Sequence, residues 1–156
     1  KKYSRKDTLR ILNWEKEIPY LNIGGYKISD DGTNCPIYVN YKKHESISST
    51  TKYDDKFLNN SEFQWMSKSR RNLESNDVIA IRNSLNTGMR MPLFIKKSND
   101  EGNDFYYMGD VTPIDDSFQE KSMPTDQGKE VSVVQLVFKM KQQVEDSIYN
   151  YITNDD

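Results

Sequence analysis

The sequence MRMPLFIKKSNDEGNDFYYMGDVT, residues 89–112, carries the clearest structural signal in the chain. Residues 89–97 and 105–112 are rich in β-forming side chains, and every residue between them is a turn former or is charged. This arrangement predicts a long β-hairpin. Alternation along the second run predicts Phe105, Tyr107 and Val111 on one face, and Gly109 predicts a bulge or the close approach of a ligand or another backbone.

Shorter β-forming runs lie on both sides of this hairpin. Residues 26–29 and 35–41 flank Asp30-Asp31-Gly32-Thr33 and predict a second hairpin. Residues 131–140 begin with apolar side chains on both faces, which is typical of a central strand. Residues 113–129 are polar and rich in turn formers, so we expect a surface excursion there.

Two or three short helices are expected, and three segments are candidates. Residues 3–14 start with a weak capping box at Ser4, and residues 144–152 have an apolar stripe at helical spacing. A third helix follows Ser75 and ends near Gly88. Its expected buried side consists of Val78, Ile79, Ile81 and Leu85. Five or more strands with two or three short flanking helices, in no repeating βαβ order, predict one α+β domain over residues 1–156 with a curved antiparallel sheet or a partly closed β-barrel.

The composition argues against several classes of protein. The chain has 156 residues, the size of one domain, and a net charge of −2. Cys35 and His44 are the only residues of their kinds, so we expect no intramolecular disulfide, no zinc site of the usual kind and no cofactor. No apolar run approaches the ~20 residues that span a bilayer, and no signal peptide opens the chain, so a cytoplasmic protein without a membrane partner is expected. Because the chain begins at Lys1 and not at Met, we expect a fragment of a larger polypeptide.

The stretch YDDKFLNNSEFQWMSKSRR, residues 53–71, combines aromatic, acidic and basic side chains. In a strand, Phe63 and Trp65 share one face, where they could sandwich a planar base or simply belong to the core. Residues 66–97 carry seven basic side chains against two acidic ones, a local charge of +5. That field suits a partner with a few closely spaced phosphates, although a solvated basic turn or chance clustering would look the same. We therefore expect an aromatic pocket beside a phosphate-binding loop.

The candidate residues form two sets, and neither includes a catalytic or metal-binding residue. Carboxylates near the aromatic rings could accept a hydrogen bond from the exocyclic amine of cytosine, or could pair with the neighbouring arginines. The candidate base-binding residues are Tyr53, Asp54, Asp55, Phe63, Trp65, Tyr106, Tyr107 and Asp110. The candidate phosphate-binding residues are Ser67, Lys68, Ser69, Arg70, Arg71, Lys96 and Lys97.

Six segments, in order along almost the whole chain, resemble a bacterial C-terminal domain family of unknown function. They are IGGYKIS (23–29), CPIYVNY (35–41), STTKYDDKF (49–57), FQWMSKSRR (63–71), PLFIKKSNDEGNDFYYMGDV (92–111) and VEDSIYNYI (144–152). In that family the domain follows a phospholipase-D-like nuclease and a helicase motor in one polypeptide. The Lys- and Asn-rich sequence is similar to the staphylococcal member, a type IV restriction endonuclease that cuts DNA containing 5-methylcytosine or 5-hydroxymethylcytosine.

The resemblance implies a non-catalytic target-recognition domain, similar to the SRA (SET- and RING-associated) readers of modified bases and with an SRA/PUA-like barrel. Its partners would be double-stranded DNA with a flipped, modified cytosine and the helicase and nuclease domains of the same polypeptide. Two alternatives remain open. A regulatory domain could couple the helicase to the nuclease through an exposed patch of Phe63 and Trp65. An autonomous nuclease would rest on Asp54-Asp55-Lys56, which is a weak match to a catalytic motif.

Overall fold

The computed structural model describes residues 2–3, 25–42, 55–98, 105–124 and 128–153. The strands within these residues are β1 (Lys2–Tyr3), β2 (Ile37–Lys42), β3 (Lys56–Asn59), β4 (Glu62–Met66), β5 (Pro92–Ser98), β6 (Phe105–Pro113), β7 (Gln119–Pro124) and β8 (Glu130–Met140). The helices are α1 (Asn76–Arg82), α2 (Ser84–Thr87) and α3 (Asp146–Thr153), and Asp115–Ser117 form one 3₁₀ turn. Residues 4–14 of the predicted N-terminal helix, the tip of the long hairpin, Tyr53 and Asp54 lie outside the described residues. Tyr3, the first residue of that predicted helix, belongs to β1 and pairs with Phe105.

The strands form one curled, mixed sheet, a half-barrel flanked by three short helices. The strand order is β2-β5-β6-β8-β4-β3, with β1 added to β6 and β7 added to β8. The predicted α+β class with a curved sheet is confirmed. The sheet departs from the antiparallel expectation at one described pair, because β2 runs parallel to β5.

The long hairpin and its bulge are confirmed. Leu93 pairs with Gly109 and Phe94 pairs with Tyr107, so Met108 is an extra residue in β6. Gly109 takes a left-handed φ of 101°, as a glycine bulge requires. The extra residue resets the alternation after Tyr107. Phe105 and Tyr107 share one face as predicted, where Phe105 packs against Tyr38 (5.3 Å) and Tyr107 against Phe94 (5.4 Å). The predicted face is wrong for Val111, which lies in the core with Met108.

Strand β8 is the central strand of the sheet. It pairs with β4, β6 and β7, and its buried side chains come from both faces. The prediction for residues 113–129 was wrong in one respect, since β7 pairs with the first half of β8. All of the β7 residues except Met123 are exposed, so this strand has no apolar alternation that the sequence could reveal.

Helix α1 begins after Ser75 as predicted, but the Ser75 hydroxyl accepts a hydrogen bond from the Asn72 N–H (2.9 Å) and does not cap the helix. The helix breaks at Asn83, and α2 ends at Gly88 with φ 78°. Val78 and Ile81 are buried, whereas Ile79 and Leu85 are 45% and 66% exposed. The prediction was therefore wrong for these last two side chains. Ile79 precedes the break but is two positions from Ile81, which places it on the opposite side of the helix. Leu85 follows the break, across which the helical period does not continue.

The core fills the inside of the curled sheet. Phe63, Phe138 and Leu93 have essentially no exposed surface, and Cys35 is equally buried. Burial raises the pKa of the Cys35 thiol to about 12, so the thiol stays protonated at neutral pH. None of the helices in the described part of the chain combines the length and apolar character needed to cross a bilayer.

The two end strands of the sheet order, β2 and β3, face each other across the open side of the half-barrel, which we call the seam. One contact across it is given by Tyr41 of β2. The Tyr41 hydroxyl accepts a hydrogen bond from the Phe57 N–H of β3 (3.2 Å), and the two rings lie 6.0 Å apart. Side-chain contacts therefore connect β2 and β3 at the seam, whereas backbone hydrogen bonds connect the other neighbouring strands.

Candidate nucleic-acid interface

A cavity of about 320 Å³ lies at the seam, and we call it the seam cavity. Its lining comes from the segment before β2, from β2 itself, from the residue before β3, from the end of β4 and from the loop that follows β4. The lining residues are Gly25, Tyr26, Tyr38, Val39, Asn40, Asp55, Trp65, Met66, Ser67 and Lys68. The volume is near the lower end of the roughly 300 to 1,000 Å³ that is typical of small-molecule sites.

The seam cavity has preformed aromatic walls. Strand β4 alternates between buried and half-buried residues, which turns Trp65 inward. The Trp65 ring lies 4.9 Å from the ring of Tyr26, edge to face, and 5.2 Å from the ring of Phe138. Trp65 is only 3% exposed. It therefore belongs to the core and borders the cavity at the same time.

Polar groups at the seam cavity fix the end of β4 and the loop that follows it. The Asp55 carboxylate accepts a hydrogen bond from the Met66 N–H (2.9 Å). The Ser67 hydroxyl accepts one from the Val134 N–H (2.9 Å) and donates one to the carbonyl of Lys68 (3.0 Å). Ser67 is 1% exposed. Its hydroxyl joins the loop to β8 and is not placed to bind a phosphate.

A second concavity, about 480 Å³ in volume, adjoins the first, and we call it the basic groove. It lies between the segment that carries Tyr26, the loop after β4 and the start of α1. The lining residues are Tyr26, Lys27, Ile28, Lys68, Arg70, Arg71, Ser75, Asn76 and Asp77. Tyr26 and Lys68 line both the basic groove and the seam cavity. The structure thus brings an aromatic cavity and a cationic surface together.

The backbone of the basic loop is held in an unusual conformation. Arg70 has φ 62°, and among the described residues it is the one non-glycine with positive φ. The N–H groups of Arg70 and Arg71 both donate to the carbonyl of Ser132, at 2.7 and 3.2 Å. A guanidinium N–H of Arg71 donates to the carbonyl of Ser69 (3.3 Å). These bonds hold the loop against β8 and leave the Arg70 side chain exposed.

A hydrogen-bonded network centred on Asp77 joins the groove to the cavity wall. Asp77 Oδ2 accepts from the Tyr26 hydroxyl (2.6 Å) and from Arg71 Nε (2.8 Å). Burial acts to raise the pKa of Asp77, but the bonds from Tyr26 and Arg71 outweigh it and hold that pKa below its usual value. Burial and the Asp77 carboxylate raise the pKa of Tyr26. Asp77 is therefore ionised and Tyr26 is neutral at physiological pH.

Lys68 lies over one wall of the cavity. Its ammonium nitrogen is 4.6 Å from the centre of the Tyr26 ring, and its backbone N–H donates to the Tyr26 hydroxyl (3.2 Å). Burial, and then the positive charge of Arg71, lower the pKa of Lys68. A cation over an aromatic face is attracted by the ring, which positions the ammonium group between the two concavities.

Other candidate residues lie elsewhere in the fold. Phe63 has no exposed surface and packs against Phe57 with ring centres 4.9 Å apart, so it cannot stack on a base in this conformation. Lys96 is 8% exposed with its ammonium group over the Phe105 ring (5.2 Å), and Lys97 lies over Tyr151 (4.5 Å).

The candidates on β6 belong to a different surface. Asp110 accepts two hydrogen bonds from Arg90 (2.9 and 3.0 Å) and one from the Tyr107 hydroxyl (2.8 Å). Tyr107 and Asp110 line a cleft of about 490 Å³ with residues 141–145 and Ile148, and this cleft shares no lining residue with the seam cavity or the basic groove. Tyr106 packs edge-on against Tyr151, with ring centres 5.8 Å apart. The structure therefore separates these β6 residues from Trp65 and Asp55.

Sequence reasoning missed several residues that line the two concavities: Tyr26, Lys27, Tyr38, Asn40 and Asp77. Tyr26 was expected to form a hairpin strand, but it makes only an isolated bridge to Ile37, supported by a bond from the Tyr38 N–H to the Gly25 carbonyl (2.7 Å). Asp77 lies in the first turn of the helix predicted after Ser75 and is not among the candidate site residues. No local pattern marks either residue, because their role depends on contacts with the loop after β4. Among the described residues, no three His, Cys, Asp or Glu side chains lie together as metal ligands would.

A known protein family matches almost the whole chain. Residues 1–152 match the family described as Domain of unknown function (DUF3427). The chain belongs to the DUF3427 family. No curated protein matches this DUF3427 domain.

A solved structure has a similar fold. It is described as "Sulfur binding domain and SRA domain of ScoMcrA complexed with phosphorothioated DNA". The similarity has a TM-score of 0.56 at 6% sequence identity and covers 99% of the DUF3427 chain and 44% of the ScoMcrA chain. This DUF3427 domain thus spans less than half the length of that protein. At such low identity the likeness concerns the fold, and it confirms the predicted SRA-like architecture.

Proposed function

We propose that this DUF3427 domain binds double-stranded DNA and recognises 5-methylcytosine or 5-hydroxymethylcytosine by receiving the flipped base in the seam cavity. The observation that carries the proposal is the direct contact between the seam cavity and the basic groove, which share Tyr26 and Lys68. A flipped nucleotide needs a pocket for its base and cations for the phosphates beside it. The two concavities offer both at adjoining positions.

The aromatic walls supply the energy that base flipping requires. Unstacking a base costs a few kcal/mol, and stacking on an aromatic side chain returns about 1 to 3 kcal/mol per base. Tyr26 and Trp65 are fixed by their contacts with each other, so little side-chain freedom is lost when a base enters. Tyr53 and Asp54 directly precede Asp55 of the cavity and remain candidates for the same site.

The polar lining supplies the base contacts. A buried methyl group adds only ~0.8 kcal/mol, so selectivity for a modified cytosine must also come from the shape of the cavity. A carboxylate can accept a hydrogen bond from the amine of cytosine, which thymine lacks. We assign that role to Asp55 and an auxiliary contact to the amide of Asn40, since both line the seam cavity.

The basic groove holds the phosphates that flank the flipped base. Lys27, Lys68, Arg70 and Arg71 contribute four cations to its lining. Arg70 has an exposed side chain on a backbone fixed by Ser132. Such contacts set the register of the DNA and carry no sequence information of their own.

The fold comparison supports DNA as the partner, because the similar ScoMcrA structure is a complex with phosphorothioated DNA. Together with the sequence resemblance, this favours a cytoplasmic restriction protein in which the domain directs a helicase and a nuclease of the same polypeptide without catalysing cleavage itself. The alternative of a coupling domain relied on an exposed patch of Phe63 and Trp65. Both side chains are buried, so that patch is missing from the described surface.

Direct binding measurements test the proposal. Fluorescence anisotropy would compare duplexes of one sequence that carry a single 5-methylcytosine, a single 5-hydroxymethylcytosine or unmodified cytosine. We expect at least one modified duplex to bind more than about tenfold tighter, a difference of ~1.4 kcal/mol. A 2-aminopurine beside the modified base should brighten on binding if the base leaves the stack. Equal or absent binding would favour the coupling role, and metal-dependent cleavage by this chain alone would contradict a non-catalytic role.

A matched pair of variants tests the base contact. Asp55→Asn keeps an oxygen that can accept from the Met66 N–H but removes the charge, so preference for the modified duplex should fall about tenfold while binding to unmodified DNA changes little. Glu62→Gln at the other end of β4 is the control, since Glu62 accepts a bond from the Asn59 side chain (2.8 Å) and does not line the seam cavity. Trp65→Ala is unsuitable, because loss of such a buried ring costs about 3 to 5 kcal/mol of stability.

A further inference from the structure

Asp77 is an acidic residue in the basic groove. Its charge opposes phosphate binding, yet its carboxylate is held by bonds from both the cavity wall and the basic loop. Resting on the proposed function, we propose that Asp77 determines specificity. It neutralises Arg71 against DNA that offers no base to the cavity. It also fixes Tyr26, a 2% exposed residue of the cavity wall that contacts both Trp65 and the Lys68 ammonium group.

One carboxylate oxygen performs both tasks. Oδ2 of Asp77 accepts from the Tyr26 hydroxyl at 2.6 Å and from Arg71 Nε at 2.8 Å, while Oδ1 accepts from the Val78 N–H at 2.9 Å. Hydrogen bonds to a charged acceptor are roughly twice as strong as those between neutral groups. The Arg71 guanidinium and the Tyr26 ring are therefore positioned by the same anchor.

The pairing lowers the affinity of the groove for any phosphate backbone. Affinity for DNA without regard to sequence grows with the number of phosphates that cations neutralise. Of the cations that line the groove, Arg71 has its Nε committed to Asp77, whereas Arg70 has an exposed side chain. Because unmodified sites far outnumber modified ones, a recogniser gains more from weak general binding than from maximal affinity.

The bond between Asp77 and Tyr26 affects the affinity for the modified duplex. The Tyr26 ring touches Trp65 on one face of the cavity and lies below the Lys68 ammonium group. Loss of the charged acceptor would let this ring move, which changes the cavity wall that a flipped base meets. Asp77 thus increases the preference for modified DNA in two ways. Its bond to Arg71 lowers the affinity for any DNA backbone, and its bond to Tyr26 supports the cavity that receives the base.

Three variants of this chain distinguish these effects, each measured with modified and unmodified duplexes over a range of salt concentrations. Asp77→Asn removes the charge at nearly constant shape. It should raise affinity for the unmodified duplex about fivefold and steepen the slope of log K against log salt by about 0.9, the value for one more phosphate contact. Tyr26→Phe removes the hydroxyl, with its bonds to Asp77 and to the Lys68 N–H, but keeps the ring and every groove cation. Preference for the modified duplex should therefore fall about fivefold, while the slope stays close to that of the wild type.

Asp115→Asn is the matched control. Asp115 accepts a bond from Arg82 Nε at 2.9 Å, the same pairing as that of Asp77 with Arg71, but neither residue lines the groove or the cavity. The slope should therefore stay at the wild-type value. An equal steepening in Asp115→Asn would assign the effect to overall charge and overturn the inference.

The remaining outcomes are also decisive. If Asp77→Asn leaves the slope unchanged, or lowers affinity for both duplexes in step with its melting temperature, Asp77 has only a structural role and the inference is wrong while the proposed function stands. If the wild-type chain shows no preference but Asp77→Asn still steepens the slope, recognition of a modified base fails and only the masking of Arg71 survives. Failure of the wild-type chain to bind either duplex would overturn both.

Discussion

Arg70 has a strained backbone conformation that is consistent with a role in binding. A left-handed backbone costs a non-glycine residue about 1 to 2 kcal/mol, and here it is kept by two N–H bonds to the Ser132 carbonyl. The same conformation leaves the guanidinium exposed at the basic groove. Glycine would adopt this conformation without strain, so stability alone does not explain an arginine here. A binding role for the exposed cation would explain it.

Arg70→Gly should therefore separate stability from binding. Glycine relieves the left-handed strain, but its greater freedom in the unfolded chain costs about 0.4 to 1 kcal/mol. The balance predicts a gain of about 0.5 kcal/mol in the free energy of unfolding. Affinity for modified and unmodified duplexes should fall together, with a salt slope shallower by about 0.9. Urea unfolding and anisotropy measure the two effects. Arg70→Lys keeps both charge and strain and is the control, and a less stable glycine variant would contradict this account.

For Phe63 and Trp65, the sequence predicted the side of the strand on which they lie better than it predicted their roles at the candidate site. Alternation correctly placed Phe63 and Trp65 on one side of β4, which the burial pattern of that strand confirms. It could not tell which of them borders a cavity. That distinction depends on Tyr26 and β2, which are distant in sequence and reach Trp65 only through the curl of the sheet.

Among the elements, the bulge in β6 was predictable from one glycine in a β-forming run. Its consequences were not, because the extra Met108 changes which side chains point inward for the rest of the strand. The two other surprises have physical reasons as well. Strand β7 is polar and exposed, so only pairing with β8 reveals it. The parallel direction of β2 on β5 depends on a connection through β3, β4, α1 and α2, which composition does not encode.

Gly109→Ala tests the backbone basis of the bulge. A Cβ at this position would meet no atom within 4 Å, so the cost comes from φ 101° and not from a clash. We expect a loss of about 1 to 2 kcal/mol in the free energy of unfolding, measured by urea denaturation. Gly109→Asn should cost less, because asparagine tolerates left-handed backbone better than alanine. A loss in Gly109→Ala far above this range would indicate that the whole β5–β6 register had shifted.

At the level of the whole molecule, the half-barrel explains where the candidate site lies. A sheet that curls without closing leaves its end strands unpaired with each other, and the seam cavity opens between them. The core is complete behind this gap, with Phe57, Phe63 and Trp65 in one cluster. An incomplete barrel therefore has a place for a guest that a closed barrel of this size would fill with its own side chains.

Tyr41→Phe tests whether the seam opens locally. The variant removes the acceptor of the Phe57 N–H while keeping the ring, so it should cost about 1 kcal/mol of stability. Hydrogen exchange at the Phe57 amide should accelerate more than exchange in β8, because the bond spans the seam and not the centre of the sheet. Tyr149→Phe is the control, since its ring packs edge-on against the same Phe57 ring at 5.4 Å. If hydrogen exchange accelerates equally in β3 and β8, the seam opens only when the whole core unfolds. A base could then enter the seam cavity only if the cavity is already open in the folded state.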